Sequence, residues 1–438
     1  MRKTLFISAV ALMSSINSFG QIINRCMTPE AIQYQESLTP GFIHQVNTIF
    51  NNAHDYTSNS EAKANSIYTI PVVVHIVYNT PEQNLPDSVI LNQIDILTAD
   101  YNRWNADTVN MRSDFDIVKG SPQIEFKLAQ IDANGLSTDG ITRTQTSTAS
   151  FGSLALVGGD FSDLEKVKST VDGGEDPWDQ NRYLNIWVCN MSVNFFGTEI
   201  TALLGYATPP AGLSNWPAGS TANLSDGVVI QFQAFGSNNP NPLDAGGGPI
   251  DVRGRTVVHE VGHYLGLRHI WGDGDCLEED GIDDTPNADA QSDSDCDPSK
   301  NTCVDNIQGI DLPDMIENYM DYSAESCQNS FTQGQVDLMH GVLEAERYDL
   351  VYGNPASLIE QTDLNWIIYP NPSEGILTVS TSEDIDKIEI VSISGRVVKS
   401  INEVQSVTTI DLSHFEGGTY FVNISSNAYI SSKRIVLL

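Results

Sequence analysis

Two histidines and a glutamate lie within five residues of one another, close enough to act together on one helix. Residues 259–269 read H-E-V-G-H-Y-L-G-L-R-H. His259 and His263 are four residues apart, so a helix would place both imidazoles on one face, one turn apart. Glu260 lies one position further round this helix, where it cannot be a third ligand but can reach a metal-bound water. The pattern therefore predicts a metal-bound water molecule with Glu260 beside it as a base.

The third histidine of the motif indicates catalytic zinc. Gly266 can end the helix with a left-handed residue, which turns the chain so that His269 arrives from another direction. Three neutral imidazoles on a tetrahedral ion leave one position for water, as at catalytic rather than structural zinc. The ion lowers the pKa of that water to about 7, and Glu260 can accept its proton as the water attacks a carbonyl.

The alternative is an ordinary buried helix with hydrogen-bonded histidines. Apolar neighbours such as Val257, Val258, Val261 and Leu265 suit that alternative. A third histidine and a glycine at fixed spacing do not, because buried histidines need partners and helix glycines cost stability. Zinc is therefore the preferred interpretation.

A second motif, N-Y-M-D-Y at residues 318–322, resembles the methionine turn beneath the zinc of metzincin peptidases. In that resemblance Met320 forms a soft apolar floor under the imidazoles. Tyr322 donates its hydroxyl to the developing oxyanion, or approaches the metal in the resting enzyme. Alone, the pentapeptide would fit a simple turn with two packed tyrosines; after the zinc motif it is better interpreted as the partner of that motif.

Four cysteines near these motifs extend the resemblance to the pappalysin family, and within it to the compact ulilysin-like enzymes. The similarity covers roughly residues 65–350 and implies a zinc endopeptidase that acts on proteins or peptides. It also implies the disulfides Cys276–Cys303 and Cys296–Cys327, whereas spacing alone leaves three connectivities open.

The resemblance also implies a specificity residue. In ulilysin-like enzymes an acidic residue shortly after the methionine turn lies at the base of the S1′ pocket and selects a basic side chain. Glu325 occupies the matching position, where the family enzyme has aspartate. A buried Glu325 carboxylate predicts a preference for Arg or Lys at P1′, because it would form a charge-assisted hydrogen bond with the basic side chain. The alternative is a solvated loop glutamate. A basic preference would also suit self-cleavage before Lys63.

Cys26 is predicted to keep the enzyme latent. A thiolate can take the fourth zinc position, and pappalysin-like zymogens carry a cysteine after an arginine, as in Arg25-Cys26. Met27 departs from the family pattern, which usually has glycine there. The alternatives are an unpaired cysteine and a disulfide with Cys189.

The charge of −35 argues against nucleic acid or an anionic membrane as a partner. Many carboxylates follow the zinc motif, where an acidic surface ordinarily serves solubility. Carboxylates separated by Gly274 and Gly281 also suit calcium, and the resemblance to ulilysin implies a structural calcium ion whose individual ligands the sequence does not identify. The acidic residues are Asp273, Asp275, Glu278, Glu279, Asp280, Asp283 and Asp284.

The N-terminal residues predict export. Arg2 and Lys3 precede the apolar run Leu5–Met13, so residues 1–20 are expected to be a secretory signal peptide cleaved after Gly20. No other apolar run is long enough to cross a membrane. Export permits disulfides. Residues 21–64 are polar, with a weak helical run near 42–50, and suit a removable pro-segment.

Residues 65–350 are expected to form an α+β metzincin domain, with a twisted mixed sheet, a zinc-motif helix and a loop-rich C-terminal half containing the methionine turn. Strands are predicted at 70–78, 124–128, 184–188 and 228–232. Helices are predicted along the face of Ile90, Ile94, Leu97 and Tyr101, from Arg255 to Leu267, and from a capping box at Thr332 and Gln335 to about Arg347.

A linker at 351–364 precedes a different pattern at 365–438, where short alternating runs predict a small all-β sandwich. Y-P-N-P at 369–372, S-G-R-V-V at 394–398 and a basic-apolar ending resemble the type IX secretion sorting domain of Bacteroidetes. The resemblance implies passage through the outer membrane by that machinery, followed by removal of the domain and release or surface attachment. The alternative is an immunoglobulin-like accessory module that binds carbohydrate.

These features predict a secreted, latent zinc endopeptidase. The rival from another class is a surface adhesin or binding protein on a metzincin scaffold, with structural or lost zinc. Intact Glu260 argues against that rival, because a structural site needs no base there.

Overall fold

The computed structural model separates the chain into two compact units, Met1–Asn354 and Pro355–Leu438. The predicted signal peptide, the predicted cleavage before Lys63 and most of the predicted linker lie outside the described residues. The residues described are 25–59, 67–133, 135–152, 161–195, 198–201, 203–211, 225–244, 249–292, 294–352, 366–381, 385–392, 397–402, 404–415, 417–426 and 429–438.

The first unit contains both helices and strands. Its helices are α1 (Thr28–Leu38), α2 (Phe42–Asn59), α3 (Asp87–Tyr101), α4 (Ser162–Glu165), α5 (Arg255–Tyr264), α6 (Gln333–Glu344) and α7 (Tyr348–Tyr352). Its strands are β1 (Tyr68–Tyr78), β2 (Lys119–Gly120), β3 (Ile124–Leu128), β4 (Ile141–Gln145), β5 (Leu184–Cys189), β6 (Val193–Phe195), β7 (Thr198–Ile200), β8 (Gly205–Ala207), β9 (Val228–Gln231) and β10 (Phe331–Thr332). Among these described helices none is both long and apolar enough to cross a membrane.

A mixed sheet forms the centre of this unit. Nearly every residue of β1 is buried, which is why its apolar side chains do not alternate with polar ones. β3 and β4 pair with one edge of β1 and β5 with the other, and β9 follows β5, all in parallel. β8 runs antiparallel to β9 and ends the order β3-β1-β5-β9-β8. The predicted mixed sheet is confirmed, although the last predicted strand ends at Gln231, one residue early.

The helices that support the active-site region also follow their patterns. The predicted face of α3 is buried, and the Tyr101 hydroxyl donates to the Val258 carbonyl of α5 at 3.0 Å. α6 begins with the predicted capping box of Thr332 and Gln335. The predicted C-terminal end of α6 is wrong: the chain leaves the helix at Ala345, and the Arg347 guanidinium instead forms a buried ion pair with Asp226 at 2.6 Å.

The predicted pro-segment is more ordered than its polar composition suggests. α1 was not predicted, and α2 continues well beyond the weak run at 42–50. Tertiary packing explains the difference. α2 lies against α6 so closely that a Cβ atom on Gly341 would stand 2.3 Å from the Ala53 carbonyl oxygen. Phe50 and Ala53 thereby join the main hydrophobic core.

The second unit consists of two antiparallel sheets. Their strands are β11 (Trp366–Tyr369), β12 (Ile376–Thr381), β13 (Lys387–Ser392), β14 (Val397–Ile401), β15 (Val407–Asp411), β16 (Gly418–Ser426) and β17 (Tyr429–Leu437). One sheet has the order β11-β12-β15 and the other β14-β13-β16-β17. A single buried cluster draws side chains from both, including Trp366, Leu377, Ile390 and Val422. This is the predicted all-β sandwich.

Candidate active site

The three histidines of the motif converge. His259 and His263 project from α5, which is buried along its whole length, and His269 follows on the loop beyond it. The Nε2 atom of His263 lies 3.1 Å from the Nε2 atoms of both other histidines. Ligands at about 2.05 Å from a tetrahedral zinc ion stand roughly 3.3 Å apart, so the three nitrogens fit that ion.

The turn that delivers His269 differs slightly from its prediction. α5 ends at Tyr264 rather than Leu267, because the Leu267 amide returns to the Gly262 carbonyl, five residues earlier, at 2.9 Å and so leaves the helical pattern. Gly266 then adopts φ +97°, the left-handed conformation expected of it. The helix therefore stops less than one turn after His263.

Each imidazole is oriented through its Nδ1 atom. His259 Nδ1 lies 2.7 Å from the Tyr319 carbonyl, and His263 Nδ1 lies 2.8 Å from the Leu267 carbonyl. His269 Nδ1 lies 2.5 Å from Oδ1 of Asp273. Since these acceptors need an N–H, all three Nε2 lone pairs are left for an ion. Burial lowers the pKa of His263 to about 3, which favours the neutral imidazole.

Glu260 lies directly beside this centre and is fully buried. Its Oε2 atom accepts from the Cys26 thiol at 3.4 Å and from the Thr28 hydroxyl at 3.1 Å. Its Oε1 atom has no hydrogen-bond partner within the described residues. Burial raises the pKa of this carboxyl to about 8. Gly205 of β8 makes room for it, since a Cβ atom there would stand 2.8 Å from Glu260 Cγ.

Cys26 joins the histidines. Its Sγ atom and one nitrogen from each of His259, His263 and His269 all lie within 4.8 Å of one another. Both Cys26 and Cys189 are free thiols, so the disulfide between them, weighed above as an alternative, is not formed. The Met27 amide donates to the Gly205 carbonyl at 3.0 Å, which places this segment along the edge strand β8.

The methionine-turn residues lie beneath and beside the histidines. Met320 is fully buried, and a Cβ atom on Gly262 would stand 2.4 Å from its Sδ atom. The Tyr322 ring packs edge-on against His269 with centroids 5.1 Å apart. Its hydroxyl donates to the Cys26 carbonyl at 3.1 Å, so it reaches the segment that covers the site.

Glu325 is buried, which contradicts its interpretation as a solvated loop residue. Its carboxylate accepts from the amides of Arg253, Arg255 and Thr256 at 2.5 to 3.1 Å, so it caps the N-terminus of α5. It also lines a small pocket beside His259. This capping role was not predicted, because a cap supplied by a loop some 70 residues away leaves no local signal.

Arg25 enters the same pocket and was missed as a site residue. Its guanidinium donates to the Ser323 carbonyl at 2.5 Å. Asp321 also lines the pocket, and the carboxylates of Glu325 and Asp321 act against the lowering of the Arg25 pKa that burial causes. The basic residue before Cys26 was the available signal.

Both predicted disulfides, Cys276–Cys303 and Cys296–Cys327, are present; the first begins within the acidic loop, and the second reaches the segment after the methionine turn. Within this loop, Oδ2 of Asp280 and Oδ1 of Asp284 are buried without a hydrogen-bond partner in the described residues. Burial raises the pKa of Asp280 to about 8. Asp273, grouped above with the same acids, instead bonds His269.

Comparisons with known proteins agree with this geometry. Residues 249–344 match the family described as Pregnancy-associated plasma protein-A, and residues 367–438 match the secretion system C-terminal sorting domain. Mature mirolysin of Tannerella forsythia, in complex with a cleaved peptide, is 39% identical with a TM-score of 0.53, over 66% of this chain and 96% of that one. A promirolysin mutant of the same organism is 37% identical with a TM-score of 0.59, over 75% of this chain and 97% of that one.

Curated relatives are similar over a shorter stretch. An extracellular metalloprotease of Arthroderma benhamiae is 40% identical over 119 residues, which are 26% of this chain and 36% of the relative. One of Uncinocarpus reesii is 29% identical over 276 residues, 62% of this chain and 75% of the relative. The chain thus spans about a third of the length of the first of these relatives.

Proposed function

The chain belongs to the pappalysin family of metallopeptidases, and from this premise we propose that it is a zinc endopeptidase made as a latent zymogen. The observation that carries the proposal is the convergence of three histidine Nε2 atoms beside the buried carboxylate of Glu260. A structural zinc site has no use for a base at that position, which disfavours the rival adhesin or binding protein.

We assign the metal to His259, His263 and His269. Zinc, when bound there, supplies Lewis acidity and lowers the pKa of a water molecule. Glu260 accepts a proton from the attacking water and later donates it to the leaving amine. In the covered site, burial raises the pKa of this carboxyl. Met320 is the apolar floor of the site.

Tyr322 is assigned to the tetrahedral intermediate. Its ring is held by packing against His269 and Trp271, so the hydroxyl keeps one position relative to the histidines. That hydroxyl donates to the Cys26 carbonyl, a peptide oxygen of the segment covering the site. A substrate carbonyl that becomes an oxyanion there would receive the same donor.

Latency is assigned to Cys26. The thiol lies among the three histidines and donates to Glu260, so one side chain blocks both the fourth ligand position and the base. Thr28 reinforces the block with a second hydrogen bond to the same carboxylate oxygen. The mirolysin precursor, a relative with a pro-form, is consistent with this assignment.

We further propose a preference for Arg or Lys at P1′, directed by Glu325. Arg25 supports it, because a basic side chain already occupies the pocket that Glu325 and Asp321 line. Both carboxylate oxygens of Glu325 are held by donors at the start of α5. Its charge is therefore fixed in place and acts on the pocket together with that of Asp321.

A structural calcium ion is proposed between Asp280 and Asp284. Two buried carboxylate oxygens that find no hydrogen-bond partner within the described part of the chain are costly unless a cation or protons compensate them. Oxygen ligands in a glycine-containing loop suit calcium. The disulfide Cys276–Cys303 anchors this loop shortly before Asp280.

The protein is exported, to the medium or to the cell surface, in keeping with the sorting-domain match and its extracellular relatives. We propose that residues 1–20 are a signal peptide, 21–64 the pro-segment, 65–350 the catalytic domain and 351–364 a linker. Residues 365–438 would then engage the type IX secretion machinery. Glycan affinity of this last domain on the mature protein would favour the carbohydrate-binding alternative.

The proposal is tested by incubating denatured casein with protein freed of the pro-segment, with and without a zinc chelator. Cleavage should cease in chelator and return when zinc is restored. Correctly folded, zinc-loaded protein that leaves casein and a panel of unfolded proteins intact would favour the binding-protein alternative.

A further inference from the structure

We propose that Asp273 is a positioning residue for His269, and that its carboxylate sets the strength with which this site holds zinc. The inference rests on the proposed zinc function. His259 and His263 bond neutral backbone carbonyls, whereas His269 bonds a carboxylate at 2.5 Å. A carboxylate raises the basicity of the imidazole and so strengthens it as a ligand.

The loop adopts a costly backbone conformation to make this contact. Asp273 has φ +60°, in the left-handed region that non-glycine residues rarely occupy. Gly272 shares that conformation and lies so close to the Glu279 amide that a Cβ atom would stand 2.7 Å from its nitrogen. The double turn directs the Asp273 carboxylate back to the histidine four residues earlier.

His269 is constrained from two directions. The Trp271 ring stacks on the imidazole with centroids 4.3 Å apart and an angle of 6° between the planes, which fixes the ring plane. Asp273 fixes the rotation within that plane, because its oxygen selects the direction of Nδ1. Together they determine where Nε2 points. His259 and His263 project from α5 and bond backbone carbonyls, whereas His269 lies on a loop and depends on these two side chains for its orientation.

Asp273 differs from the acids around it. Its side chain is 46% exposed, so its solvent exposure alone resembles that of a solubilising residue. Asp275, two residues on, is also exposed, but among the residues that the structure describes its carboxylate accepts from the nearby Leu277 amide alone. Asp275 is therefore a matched control for loss of one negative charge in this loop.

The test measures zinc affinity of the full chain by competition with a chromophoric chelator. Asp273→Asn removes the charge and tolerates the left-handed conformation, while Asp273→Gly removes the hydrogen bond without backbone strain. Loss of an outer carboxylate typically weakens metal affinity about 10- to 100-fold. We expect losses in that range, larger for Gly than for Asn, and less than about twofold for Asp275→Asn.

Thermal unfolding of the metal-free variants distinguishes a loss of zinc affinity from a loss of folding. We expect the unfolding midpoints of these variants to match that of the wild-type chain. Unchanged zinc affinity in both Asp273 variants would overturn the inference. Equal weakening by Asp275→Asn would also overturn it, since bulk charge would then be responsible. If the wild-type chain itself bound no zinc, the proposed function would fall with it.

Discussion

The Cys26 thiol donates to Oε2 of Glu260 across 3.4 Å, while its sulfur lies among three histidine nitrogens. A residue 234 positions earlier in the chain thus takes the proposed fourth ligand position and bonds the proposed base. Because one thiol blocks both the fourth zinc ligand position and the base, its replacement should have a large effect on proteolytic activity.

Replacing this thiol should release the zymogen. Cys26→Ala leaves the fourth ligand position free and removes one of the two hydrogen bonds to Glu260, so we expect full-length protein to cleave a quenched peptide while wild type does not. Cys189→Ala is the control, because Cys189 is the other free, buried thiol and lies within β5. If Cys26→Ala stayed as inactive as wild type, the latency assignment would have to be abandoned.

Glu325 should govern the residue after the scissile bond. Glu325→Gln removes a charge that faces the pocket occupied by Arg25, so enrichment of Arg and Lys at P1′ should fall in a digested proteome analysed by mass spectrometry. Weaker capping of α5 should also lower stability by about 1 kcal/mol. The exposed Glu278 provides the control variant, Glu278→Gln. No basic enrichment with wild-type enzyme would contradict the pocket assignment.

Tyr322→Phe should impair turnover rather than binding. The ring packing on His269 and Trp271 survives, while the hydroxyl donor is lost. Loss of one oxyanion donor costs about 10²-fold in kcat, and KM and zinc content should stay near wild type. Tyr319→Phe is a control, since that hydroxyl accepts from Asn105 instead. An unchanged kcat in Tyr322→Phe would exclude the tyrosine from the intermediate.

Asp280 should make stability depend on pH and calcium. Burial raises the pKa of Asp280 to about 8, against about 3.9 in an unfolded chain. Between those values the folded state holds a proton that the unfolded state has lost, so in a calcium chelator Tm should fall as pH rises from 5 to 8. Calcium should therefore raise Tm more at pH 8 than at pH 5.

Asp280→Asn should flatten that pH dependence and abolish the calcium effect, whereas Asp283→Asn, at an exposed neighbour, should change neither. Calcium that raised Tm equally in wild type and Asp280→Asn would contradict this ligand assignment.

The sequence predicted features that depend on local spacing. The histidine spacing, the left-handed Gly266 and the capping box of Thr332 and Gln335 are local, and each is found in the structure. Buried strands such as β1 could also be predicted, because their apolar residues are consecutive in the sequence. Family resemblance, not spacing, supplied the two disulfide pairings.

Features that depend on distant contacts were missed. The helical order of the pro-segment comes from packing on α6, because its own composition is polar. Glu325 caps α5 from a remote loop, and Asp273 was grouped with solvating acids although it bonds His269. An Asp four residues after the third histidine was a usable signal only once the left-handed turn at Gly272 was known.

The most direct test measures zinc content and proteolysis together, in protein freed of the pro-segment by an added protease. Glu260→Ala should retain one zinc per chain and cleave no casein, whereas His263→Ala should lose both zinc and activity. That pattern would separate the metal ligands from the base. Casein cleavage by Glu260→Ala, or full zinc retention by His263→Ala, would contradict the account.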